Sequence, residues 1–316
     1  MRFPLNIPAN AEFDVLGFGT NAVDFLITVP HFPDFGSKVE LRSYVREAGG
    51  EIATTMVGLQ RLGMRTLYSG RFGDDDAGRF GMKSVEAEGV DLKFSKVIAG
   101  AETQIAFIVI DEKTGERTVI WKRDEKLRFA ANDAPLAAIE KCRLLHMTPH
   151  DTEACIKLAS YARALGVPVS LDIDNVFDGI ERLLPLVDIL IAGSEFPQKF
   201  LGIDDPRLAL QSLASKYKNA LLGITLGARG SILLCGGEFI ETDGFEVPGG
   251  CKDTTGAGDA FRAGLIFGLL PGGWIEPAAR MANAVAALKC RELGARTALP
   301  TRYELASLMS RDDPAG

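Results

Sequence analysis

K-D-T-T-G-A-G-D-A-F-R-A-G, residues 252–264, is the stretch on which the reading of this chain turns. Gly256 and Gly258 flank Ala257, an acid follows at Asp259, and an apolar helical pattern begins. Glycines at a helix start let the backbone approach a ligand and leave N–H groups unpaired, aimed at one point. The helix dipole adds partial positive charge there, so the spot favours an anion such as phosphate. Asp259 suits a first helical turn electrostatically, but it would repel a phosphate bound at the same place. An acid beside an anion-stabilising nest is what phosphoryl transfer to a hydroxyl requires: a base for the alcohol and donors for the moving charge. The chain has no G-x-x-x-x-G-K-[ST], so a P-loop is excluded.

Around this stretch the composition is that of a globular protein. Its 316 residues are 47% hydrophobic and 24% charged, enough to bury a substantial core. The net charge of −7 argues against a nucleic-acid partner. No apolar run reaches the ~18 residues a membrane helix needs, and Met1–Glu12 lacks an apolar signal core. Five scattered cysteines form no C-x-x-C pair and fit a reducing cytoplasm.

Upstream, Phe13–Phe18 reads as a buried strand ending in glycines. The segment G-F-G-T-N-A (17–22) imitates a dinucleotide fingerprint, but Pro30 and Pro33 interrupt the helix that motif needs. Asp24 follows, just past the strand and amid apolar residues. Lys38–Arg46 alternates like a half-exposed strand, and Gly49-Gly50 open a helix closed by Gly63. Asp74–Asp76 read as helix-start acids. Thr103–Ile110 and Arg117–Lys122 are strands around a hairpin turn. From Asp133 helices alternate with strands at Leu144–Met147, Val167–Leu171 and Ile189–Ala192, with Asp151 as a helix N-cap, the pattern of a mostly parallel sheet with helices on both faces. Cys142, His146 and His150 imitate a metal cluster, yet Pro149 prevents a shared helical face, so strand and loop roles are expected. Asp172 and Asp174 follow a strand, where ligand sites of open α/β sheets lie. Ser231–Cys235 and Glu238–Glu241 suggest an antiparallel edge.

D-T-T-G-A-G-D-A-F, at 253–261, resembles the C-terminal signature of the ribokinase-like (PfkB) carbohydrate kinases. The likeness extends to G-G-x-x-A through Gly49, Gly50 and Ala53, to G-x-D-x-x-G through Gly73, Asp75 and Gly78, and to T-x-G-x-x-G through Thr225, Gly227 and Gly230. It covers roughly residues 13–308. It implies a single ribokinase-like α/β domain over 1–316, with a small β-sheet lid from about 20–48 and 100–125. It implies transfer of the γ-phosphate of ATP, with Mg2+, to a sugar hydroxyl. Asp259 would be the base and the backbone of Gly256, Ala257 and Gly258 the anion hole. Asp24, Gly49, Gly50, Thr54 and Arg117 would meet the sugar; Thr225, Gly227, Gly230 and Asn283 would meet the nucleotide. Asp253 and Thr255 would serve a potassium ion, and Glu195 a magnesium-bound water. The resemblance also allows a homodimer clasped through the lid.

The chain departs from the family at two places. Thr54 stands where the sugar-contacting residue is usually Asn, and A-G-S-E-F (192–196) replaces P-N-x-x-E. Both departures touch substrate identity. They keep two further readings open: a nucleoside (adenosine-like) kinase, or a sugar- or nucleotide-sensing protein with impaired catalysis.

Overall fold

The computed structural model describes residues 1–311; the last residues of the domain expected over 1–316 lie outside the described part. The chain opens with strands β1 (Phe13–Phe18), β2 (Ala22–Val29) and β3 (Ser43–Gly49), then helix α1 (Glu51–Arg61). Strands β4 (Thr66–Ser69) and β5 (Arg71–Gly73), helix α2 (Asp76–Ala87), and strands β6 (Lys96–Ile98), β7 (Ile105–Asp111) and β8 (Arg117–Lys122) follow. Next come α3 (Leu136–Ile139), β9 (Cys142–Met147), α4 (Thr152–Ala164), β10 (Val169–Ile173), α5 (Ile180–Leu183) and β11 (Ile189–Ala192). Helices α6 (Phe196–Leu201) and α7 (Pro206–Lys216) precede β12 (Leu221–Thr225), β13 (Ser231–Cys235) and β14 (Glu238–Thr242). Helices α8 (Ala257–Leu269), α9 (Ile275–Lys289) and α10 (Arg302–Arg311) complete the described chain.

Eight strands form one sheet in the order β14-β13-β12-β11-β10-β9-β1-β4. From β12 to β4 all neighbours are parallel; β13 and β14 add an antiparallel edge. Parallel strands need both faces covered, and the strand sequences provide for that by sending successive residues to opposite sides. Leu144, Ile191 and Leu221 pack with Met56, Phe261 and Val285 from α1, α8 and α9. Leu145, Leu190 and Leu222 pack with Leu158, Leu210 and Leu213 from α4 and α7. The sheet is thus sandwiched between two helical layers.

A second, four-stranded sheet runs β3-β2-β7-β8. Its inner face buries Leu26, Ala106, Ile108 and Ile110 against Leu293. Its outer face carries Phe25 stacked between Tyr44 (6.0 Å) and Phe107 (5.1 Å). Arg123, just past β8, ties this sheet to the large one through a two-pronged ion pair with Asp151 (3.0 and 2.7 Å).

Several local expectations change. Asp24, read just past the first strand, lies within a second strand, β2, paired with Glu47 and Ala106. The strand read at Lys38–Arg46 is β3, shifted to Ser43–Gly49 because pairing with β2 begins at Ser43↔Thr28 and ends at Ala22↔Gly49. Gly49 therefore ends a strand and Gly50 alone caps α1. Asp151 makes no side-chain cap, since Arg123 occupies its carboxylate. Helix α7 goes unread in the sequence although Asp205 caps it, accepting from Leu208 N at 2.8 Å, with Pro206 in its first turn.

Candidate active site

The C-terminal ends of the parallel strands share one edge of the sheet, and the loops there carry the residues of interest. Helix α8 begins at that edge. Gly256 caps it at φ +77°, and a Cβ on Gly256 would stand 2.9 Å from the backbone of Ala295, so glycine is required twice over. The Ala257 N–H donates to Thr254 O (3.1 Å). Among the described residues the N–H groups of Gly256 and Gly258, two of the three donors expected, find no acceptor and are open to an anion.

Asp259, in the first turn of α8, closes this end of the cleft. Its carboxyl is pushed up to about 8, first by burial and then by Asp172, with Arg262 opposing and Asp174 and Asp24 adding to the rise. Arg262, one turn further along α8, is buried with its Nη2 2.5 Å from Asp172 Oδ1 and 3.2 Å from Ile191 O. Glu51, at the start of α1, joins the group; burial and then Asp174, Asp172 and Asp259 raise its carboxyl well above the usual range. Its Oε2 is buried and has no hydrogen-bond partner. Four carboxylates and one guanidinium thus converge where β10 and α8 meet.

On one side of Asp259 lies the chamber of Asp24. That carboxyl is buried and pushed up to about 6, by desolvation first, against the pull of Arg296. It packs directly over Gly49, where any Cβ would collide with it. Arg296 is buried and donates to Gly49 O, to Thr54 Oγ1 (3.3 Å) and to Ser84 Oγ (3.4 Å). Burial brings its guanidinium down to about 10, with Asp24 the leading opposing charge. The hydroxyl at Thr54 therefore answers an arginine: a buried Asn would aim a wider amide at the same place. Trp121 of β8, His150 and Phe177 form an aromatic wall, with ring centroids 6.4 Å apart for Trp121–His150 and 5.0 Å for His150–Phe177. Arg117, from the same strand, reaches across to donate to Thr254 Oγ1.

On the other side a cavity of about 230 Å³ is lined by Thr225, Gly227, Gly230, Ala257, Gly258 and Asn283 among others. All four residues expected to meet a nucleotide lie here, beside the signature glycines. Asn283 is buried and its Nδ2 donates to Thr242 Oγ1 (2.8 Å) and Ser231 Oγ (3.2 Å), so it holds β14 to α9 as well.

Asp253 is buried beneath the glycine turn. Its Oδ1 accepts from Thr255 N and its Oδ2 from Gly294 N, both at 2.8 Å. Glu195 is not drawn into the acid group: it faces solvent and pairs with Lys199 at 2.8 Å. Cys142 and His146 are both buried, the thiol donating to Ile139 O (3.3 Å) and the imidazole 3.0 Å from Ser170 Oγ. Among the described residues no trio of His, Cys, Asp or Glu is arranged to hold a metal unaided. Sequence reasoning passed over Arg262, Arg296, Glu51 and the aromatic wall. Only Arg262 left a trace, as a lone charge three residues after Asp259 in an otherwise apolar helix.

The family model for pfkB family carbohydrate kinases matches residues 13–302. A nucleoside kinase of Methanothermobacter thermautotrophicus is 26% identical over 299 residues, spanning 92% of this chain and 94% of its own. A ribokinase of Bacillus subtilis is 28% identical over 294 residues, spanning 92% and 98%. The structure of Arabidopsis thaliana ribokinase complexed with ribose and ATP superposes with a TM-score of 0.80 at 22% identity, covering 94% of this chain and 98% of that one.

Proposed function

This chain belongs to the pfkB family of carbohydrate kinases, and from that premise we propose that it transfers the γ-phosphate of ATP to a sugar hydroxyl with Asp259 as base. One observation carries the reading: Asp259 directly follows Gly258, which lines the glycine-rich cavity, beside two N–H groups with no acceptor, and it is near enough to Asp24 for that carboxylate's charge to push its own carboxyl up. In this mechanism Asp24 accepts hydrogen bonds from the sugar and holds the reactive hydroxyl toward Asp259. Asp259 takes the hydroxyl proton as the oxygen attacks phosphorus. Gly256 and Gly258 N–H groups meet the negative charge on the transferring phosphoryl, while Ala257 shapes the turn that aims them. Magnesium would neutralise the phosphates. Glu51, whose buried Oε2 has no hydrogen-bond partner and has His150 Nδ1 3.5 Å away, and Asp174 are the carboxylates that suit it, in place of Glu195. Arg262 opposes the rise that burial and Asp172 impose on the Asp259 carboxyl, which helps keep its proton exchangeable. The small sheet acts as a lid, with Arg117 and Trp121 on its cleft side.

Asp259→Asn should fold and bind nucleotide, yet turn over ~10²- to 10⁴-fold more slowly, the scale of a positioned base. Turnover near the wild-type rate would remove Asp259 from the role. ATP consumption measured across pentoses, ketohexoses, aldohexoses and nucleosides tests the acceptor class. A nucleoside acceptor is the second reading, favoured by the Trp121–His150–Phe177 wall, which offers faces for a base to stack on. Consumption with none of these would favour a sensing protein. The same reading takes the exposed outer face of the lid as the surface between two copies of the chain, since Phe25, Tyr44 and Phe107 stack there with Ile120 beside them. A reducing cytoplasm suits five free cysteines, four of them buried.

A further inference from the structure

The loop that sets Gly256 carries a buried carboxylate, Asp253, and a side chain already opposes it. Lys289, at the end of α9, is wholly buried. Its Nζ donates to Asp253 O at 2.8 Å and stands 3.7 Å from Asp253 Oδ2. Both carboxylate oxygens also accept backbone N–H groups, from Thr255 and from Gly294. Lys252 N and Asp253 N donate to Cys290 O, at 2.9 and 3.4 Å. The loops at 252–256 and 290–296 are therefore laced together around one ammonium. A buried carboxylate needs a compensating charge, and here the chain supplies it.

We propose that the Lys289 ammonium takes the place of the monovalent cation expected at Asp253 and Thr255, making the anion nest at Gly256–Gly258 independent of potassium. A potassium ion would have to share Asp253 with a fixed positive charge that is in direct contact with its carbonyl oxygen. Lys289 is a positioning residue: it fixes the loop whose last residue, Gly256, aims the N–H groups. The proposal rests on the kinase reading for its turnover arm only.

The test compares KCl with choline chloride at equal ionic strength, reading both melting temperature and ATP turnover. Wild-type protein should melt at the same temperature in the two salts, show no saturable binding of thallium(I) as a potassium surrogate, and turn over within ~2-fold. Lys289→Ala should lose ~10- to 100-fold in kcat in choline, as expected when catalytic donors are misplaced, and regain most of it with potassium or ammonium ions. Its melting temperature should rise on adding potassium but not sodium or choline. A potassium-specific rise in wild-type melting temperature, or saturable thallium binding to wild type, would overturn the proposal without reference to turnover. A folded Lys289→Ala protein that neither cation restores would overturn it as well. If Lys289→Ala does not fold, the two wild-type measurements decide.

Discussion

Asp259 carries a burden of its own environment. Its carboxyl lies at about 8 in the folded chain, against an ordinary value of 3.8. Folding therefore favours the protonated acid; that advantage is full below the ordinary value and disappears as pH rises through about 8. Asp259→Asn should accordingly melt at a higher temperature than the wild type at about pH 8, with the gap closing toward about pH 4. Scanning fluorimetry across that range checks it, and a gap that widened at low pH would show the sign to be wrong. Asp24 invites a different substitution. Asp24→Ala would leave Arg296 buried beside the void, so a change in sugar affinity would be mixed with lost stability. Asp24→Asn keeps a polar partner and should raise the acceptor KM ~10- to 100-fold, the worth of a hydrogen bond to a charged group, while the ATP KM stays put. A collapse in ATP affinity with unchanged acceptor affinity would move Asp24 out of the sugar chamber. Asp259 and Asp24 could be picked out in the sequence because each breaks a local pattern. Arg296 could not, because its partners Gly49 and Thr54 lie 247 and 242 positions away and nothing near Arg296 marks it.

At the scale of elements, the strand-to-helix turn at 253–257 is the least replaceable piece. Gly256 needs both a left-handed backbone and the missing Cβ. Gly256→Ala should cost ~1–3 kcal/mol in unfolding free energy, the price of a non-glycine residue held in that region and pressed against Ala295. It should also weaken ATP binding by turning the two free N–H groups aside. Chemical denaturation and nucleotide titration of the same protein check both, and a variant that kept full stability would mean the turn relaxes freely. The regular elements were readable because period and punctuation agree in them: β8 matches its expected bounds, and Gly89 follows the end of α2. β2 was not read as a strand and β3 was read too early, because a strand's start depends on its partner's register, which no local pattern encodes. The first helix was opened one residue early for the same reason, since Gly49 belongs to the β2–β3 ladder.

For the whole molecule, two sheets of opposite character are joined at few points. The large sheet is covered on both faces, whereas the small one leaves an aromatic face to solvent. A patch of that kind on an isolated chain is an association surface more often than a solvated one. If two copies join through that face as proposed, Ile120→Glu, with Ile120 59% exposed there, should leave a single chain of 34.0 kDa, as light scattering would read. A wild-type protein that stays at the single-chain mass at every concentration would dispose of the lid-to-lid contact. The βα alternation made the large sheet readable from sequence. The lid came only from the family likeness, and its fastenings could not be read at all, because Arg117–Thr254 and Arg123–Asp151 join segments distant in sequence.

The wall of the Asp24 chamber is built from both ends of the described chain, with Gly49 and Thr54 on one side and Arg296 on the other. Translation delivers these parts far apart in time. The strands and helices that bear Asp24, Gly49 and Thr54 leave the ribosome early, and they wait with a polar hollow open while most of the large sheet is still being made. The hollow closes only when the segment after α9 emerges and threads its guanidinium home. On the mechanism proposed above, acceptor recognition would therefore be a late event of biosynthesis, and a chain interrupted before Arg296 would carry Asp24 without the guanidinium beside it.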